Sequence, residues 1–141
     1  MKTLLSQIIN AGPSLGRLAS EKFKCKGAGK ITYAIAKNLS TTEPYVRAYQ
    51  IARSALMEEY YVQKMDAEGK LVMEDGNIVW VIKDSQSLKM FNDEIDVLLA
   101  EEIELDIRMV VLPQPDEGAP SLISGADLYF LEWMVSIEGC E

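Results

Sequence analysis

The chain has 141 residues, of which 48% are hydrophobic and 26% charged, the balance of an ordinary globular protein long enough to bury a core. Its 22 acidic and 14 basic residues leave a net charge of −8, which argues against a nucleic-acid ligand and suits solubility or a basic partner. Length predicts one domain, and no apolar run approaches the roughly 20 residues of a membrane span.

The opening "MKTLLSQIINAG" carries one lysine and a short apolar patch that Gln7 and Asn10 interrupt, so no secretory signal is expected. Leu4, Leu5, Ile8, Ile9, Leu15 and Leu18 then recur at helical spacing over residues 3–22. Pro13 predicts a kink or two short helices, with Asn10 or Ser14 capping the second. After "KGAGK", Ile31, Ile35, Leu39, Val46, Tyr49, Leu56 and Tyr60 give the longest helical signal. Pro44 falls inside it. "STTEPYV" reads as a restart with Thr42 as N-cap, giving helices at 29–40 and 43–64.

The period then changes. "DAEGK" is a turn, and "KLVMEDGNIVWVIK" places two β-rich runs around Asp75-Gly76, a strong hairpin signal. Ile78, Trp80 and Ile82 are expected on one face, Val79 and Val81 on the other. Residues 86–102 return to helix, with Leu88, Phe91, Ile95 and Leu98 as the stripe and Ser85 as cap. "IELDIRMVVL" (103–112) alternates as one strand with Ile103, Leu105, Ile107, Met109 and Val111 inward, and the hairpin is its expected partner. "PQPDEGAPS" is a loop, and residues 125–137 form a closing helix capped by Ser124. This order predicts an α+β fold, mainly helical, with a small sheet of hairpin plus strand.

Few residues suggest chemistry. Gly29-Lys30 looks like part of a phosphate loop, but that motif needs glycine at position 24, where lysine stands, and Ser or Thr at position 31, where isoleucine stands. Lys24, Lys26 and Lys30 are left as a weak anion patch near a helix start. There is no histidine, which removes Ser-His-Asp and Cys-His nucleophile activation and histidine metal sites. The acid pairs Glu58/Glu59, Asp93/Glu94 and Glu101/Glu102 read as solvated faces, because adjacent helical residues point about 100° apart. Cys25 and Cys140 are too few for a zinc site. They are expected as free thiols, with a single bridge as the alternative. No catalytic group, metal or cofactor is therefore expected.

Two stretches suit binding. In "YVRAYQIAR", Tyr45, Tyr49 and Arg53 follow one another by a turn and Arg47 sits on a neighbouring face, an aromatic and guanidinium surface for a protein or an anionic planar ligand. In the last helix Tyr129, Phe130 and Trp133 crowd beside Met134, which suits core packing or an interface with a second copy.

The succession "ITYAIAKNL", "ARSALMEEYYVQKMDAEGK", a "DG" hairpin, "MFNDEIDVLLAEEIELDI" and "ISGADLYFLEWMV" resembles a family of small phage and prophage proteins of unknown function, mostly from Gram-positive bacteria. The likeness covers roughly residues 4–136 and consists of residue-class patterns, so it transfers no site residues. It implies a phage origin and action in the cytoplasm of the infected host. The expected function is that of a non-enzymatic accessory protein that inhibits a host anti-phage defence by binding a protein or a signalling nucleotide. The alternative is a virion-assembly chaperone or small structural subunit, which would self-associate.

Overall fold

The computed structural model describes residues 1–21, 23, 27–114 and 123–138. Lys24, Lys26, Cys25, Cys140 and most of the "PQPDEGAPS" loop lie outside them. The elements are β1 (Lys2–Leu4), α1 (Leu5–Ser20), α2 (Ala28–Tyr60), β2 (Tyr61–Gln63), β3 (Met73–Glu74), β4 (Asn77–Ile78), β5 (Trp80–Ile82), α3 (Ser85–Leu99), β6 (Glu102–Glu104), β7 (Val110–Leu112), α4 (Gly125–Leu131) and β8 (Val135–Ile137). The fold is α+β and mainly helical. Its contacts gather in two compact units, Met1–Arg47 with Glu101–Glu141, and Ala48–Ala100.

In the discontinuous unit, α1 is one helix rather than two. Pro13 stands on its exposed side, while Leu5, Ile8, Ala11, Leu15 and Leu18 form an unbroken buried stripe across the proline. Packing on both sides thus outweighs the lost i→i−4 bond. Gln7 reaches back to accept from Leu4 N–H at 3.1 Å and closes the first turn. Ser14, expected as a cap, is buried and donates to Asp127 Oδ1 at 2.7 Å. Arg17 pairs with the same carboxylate. Ser124 caps α4 as expected, accepting from Asp127 N–H at 3.1 Å. The Arg17 guanidinium and the Ser14 hydroxyl hold the Asp127 carboxyl down at about 2.

The expected strand 103–112 is two strands in opposite phase. Ile103 and Leu105 are buried, then Val110 and Leu112, whereas Met109 and Val111 face out. Asn38 supplies the reason. Its Nδ2 donates to Arg108 O at 2.8 Å and its Oδ1 accepts from Arg108 N at 2.8 Å, so one buried amide satisfies both backbone groups where no strand does. That slip changes which residues face inward by one position. The hairpin is not the partner of either half. β6 pairs antiparallel with β1, Thr3 opposite Ile103, and β7 pairs in parallel with β8, Val110 opposite Val135. The closing helix is correspondingly short. It ends at Leu131, and the β-branched Val135 and Ile137 join the strand instead. The core of this unit includes Leu15, Leu18, Ile35, Val110, Leu112, Leu131, Met134 and Val135.

α2 also runs on where a restart was expected. Pro44 lies on its exposed side, and Thr42 is no N-cap: its buried hydroxyl donates to Asn38 O at 3.1 Å, one turn back.

In the unit Ala48–Ala100, Asp75 (φ 50°) and Gly76 (φ 80°) both take the left-handed conformation of a two-residue hairpin turn joining β3 to β4, as the dipeptide predicts. β5 continues past the hairpin to pair antiparallel with β2, Val62 opposite Val81. The three β segments meet in a closed ring of hydrogen bonds: Lys64 N–H to Val79 O (2.8 Å), Val79 N–H to Val72 O (3.1 Å) and Val72 N–H to Lys64 O (2.9 Å). The "DAEGK" turn is present, with the Asp66 carboxylate accepting from the N–H groups of Glu68 and Lys70. Asp84, rather than Ser85, caps α3 by accepting from Ser87 N–H at 2.7 Å. Ser85 is already the first helical residue. Tyr60 and Phe91 are buried here, and the Tyr61 and Phe91 rings meet edge-on at 5.1 Å.

Candidate functional site

The unit Ala48–Ala100 leaves many of its large apolar side chains in solvent. Three cross-strand pairs are apolar on both sides and exposed on both sides: Val62 with Val81, Met65 with Leu71, and Met73 with Ile78. On the helices, Ile51 is 67% exposed and Val97 73%. Single exposed apolar residues are ordinary, but a concentrated set marks an interaction surface. Antiparallel pairing makes the pairs, setting valine, methionine, leucine and isoleucine of adjacent strands directly opposite one another.

In the same unit, Ala52, Ala55 and Leu56 of α2 and Glu94, Val97 and Leu98 of α3 line an open groove of about 430 Å³. Arg53 lies over the Phe91 ring at 6.0 Å. Burial, together with the Glu94 and Glu59 carboxylates, pushes the Tyr60 phenol up to about 12.

α2 carries all four residues singled out in "YVRAYQIAR", but they do not form one cluster. Arg47 pairs with Glu43 at 2.9 Å, one turn earlier. Tyr45 is exposed, Tyr49 is half-buried, and Arg53 is engaged on Phe91, with its guanidinium at 3.4 Å from Met57 Sδ. Lys26 lies outside the described residues. Lys30 is exposed and borders a groove of about 300 Å³ with Gly27, Ile31, Ala34, Met109, Val110 and Val111. At helical spacing from Lys30 come Tyr33, 59% exposed, and Lys37, and Arg108 lies over the Tyr33 ring at 5.2 Å. Sequence reasoning passed over this basic and aromatic face because Arg108 is remote in the chain.

The aromatic residues near the C-terminus divide. Tyr129 (68% exposed) and Phe130 meet edge-on at 5.3 Å in solvent. Trp133 packs against the core and its indole N–H donates to Phe130 O at 3.1 Å. With Gln7, Asn10 and Glu132 they border a shallow groove of about 250 Å³.

Among the described residues, no three Cys, Asp or Glu side chains are grouped so that they could hold a metal ion, and no helix is long and apolar enough to cross a membrane. No family model, curated protein or solved structure matches this chain.

Proposed function

We propose that the chain is a phage accessory protein that acts by binding rather than by catalysis, and that its target is a protein of the infected host's anti-phage defence, met in the host cytoplasm. One observation carries the reading: the exposed apolar cross-strand pairs of the unit Ala48–Ala100. Such a surface gains free energy when a partner covers it, at about 25 cal/mol per Å² before the costs of association. The signalling-nucleotide form of the reading would draw instead on Lys30, Tyr33, Lys37 and Arg108, with a base stacked on the tyrosine and phosphates on the cations.

The test is affinity capture from phage-infected cells with the full chain, wild type against Met65→Asp/Met73→Asp. Recovery of one host protein at fixed stoichiometry, lost in the variant, supports the reading. Recovery that the variant leaves unchanged refutes the role of the strand surface. A virion-assembly subunit is the second reading, favoured by exposed Tyr129 and Phe130 as a self-association patch. Mass spectrometry of purified virions separates the two, since many copies per particle would defeat the inhibitor reading.

A further inference from the structure

We infer that the groove between α2 and α3 is a docking site for a cationic amphipathic helix of a partner protein. The inference rests on the binding reading above and adds a place and a chemistry to it. Five of the six lining side chains are apolar, and Glu94 is the one polar group among them. Ala52 and Ala55 present only methyl groups, so a helix can approach α2 closely, while Leu56, Val97 and Leu98 supply the walls. Ile51, exposed on α2, extends the apolar strip. Such a trough accepts side chains spaced i, i+3/i+4, i+7 along an occupant helix.

Charge selects the occupant. No lysine or arginine lines the groove. Glu94 lines the groove from α3, and Glu59 follows Ala55 by one turn of α2. Acidic residues also outnumber basic ones throughout Ala48–Ala100. An occupant flanked by lysine or arginine meets these acids favourably. A second copy of the chain does not. Two-fold pairing through this groove would bring the Glu94 carboxylates of both copies into one apolar interface, between molecules each carrying a charge of −8.

The experiment uses the full chain and a synthetic helical peptide of about 18 residues, long enough to sustain a helix once bound, with leucine at i, i+4, i+7 and i+11 and lysine elsewhere. Two controls accompany it: the same composition permuted to destroy the stripe, and a version with glutamate for lysine. The striped lysine peptide should bind saturably by fluorescence anisotropy, with each control at least about tenfold weaker, and the double variant Ala55→Gln/Val97→Gln should lose about tenfold for the striped peptide. Both positions are exposed, so circular dichroism and the thermal midpoint of the variant should match the wild type. Equal binding of the permuted or glutamate peptide overturns the inference, as does undiminished binding by the variant. A wild-type dimer that the double variant converts to monomer in sedimentation also overturns it, because a second copy would then be the occupant. Failure here is separable from failure of the binding reading. A host protein captured equally by wild type and Ala55→Gln/Val97→Gln, but lost with Met65→Asp/Met73→Asp, removes the groove and leaves that reading standing.

Discussion

The two compact units solve the same problem to different degrees. Met1–Arg47 with Glu101–Glu141 buries a stripe of α1, the inward residues of β7 and β8, and Leu131 and Met134 in one cluster of side chains with almost no solvent contact. Ala48–Ala100, at over half that length, fully buries only Tyr60 and Phe91 among its large apolar residues, leaves Leu56, Ile82, Ile95 and Leu98 among others half-buried, and exposes Ile51, Val97 and the apolar strand pairs. Its backbone is nonetheless well closed, by the turn at Asp75-Gly76, the Asp84 cap and the three-way ring at Lys64, Val72 and Val79. Hydrogen bonds shape this second unit, while apolar burial holds the first. A unit of that kind is marginal unless a partner covers it.

Mutations test that contrast in order of size. Leu15→Ala, at a side chain with no exposure in the centre of the first unit, should cost about 4 kcal/mol in urea unfolding. Phe91→Ala should cost about 3 kcal/mol and should be local: hydrogen exchange of the β2 and β5 amides should accelerate while α1 keeps its protection. Acceleration throughout the chain would show that the units open together and would break the comparison.

Asn38→Ala should cost about 2 kcal/mol, since it leaves the Arg108 backbone groups without partners. Asp127→Asn sharpens the comparison through pH. The carboxyl is held at about 2 in the folded chain against 3.8 as its ordinary value, so the pairing with Arg17 and Ser14 contributes in full above pH 3.8 and fades as pH falls through about 2. The thermal midpoints of wild type and Asp127→Asn should differ at neutral pH and converge near pH 2. Smallest of all, Val97→Gln should change stability by less than about 0.5 kcal/mol, because the side chain is already in water.

Local signals were legible wherever a few neighbouring residues decide the outcome. The Asp75-Gly76 hairpin, the "DAEGK" turn, the Ser124 cap and the core stripe of α1 all follow from spacing or turn chemistry. The two prolines misled for a common reason. Pro13 and Pro44 end a helix when nothing else holds it, and here each sits on the solvent side of a helix whose inner face is anchored before and after the ring. The candidate site was less legible. Tyr45, Arg47, Tyr49 and Arg53 share one helix, but Glu43 and Phe91 engage the two arginines separately. The exposed pairs Met65 with Leu71 and Met73 with Ile78 look in sequence like core, because alternation identifies two faces without saying whether anything covers either.

Sequence alone determined the acidity, the want of histidine, the helical and alternating periods and the tight turns, since each depends on residue type or on contacts a few positions apart. Tertiary structure decided the phase slip at Arg108, the parallel pairing of β7 with β8, the Arg17–Asp127 lock and the uncovered apolar strand pairs. Each of these depends on side chains far apart in the chain and on which surfaces happen to find a partner, information that no local pattern carries.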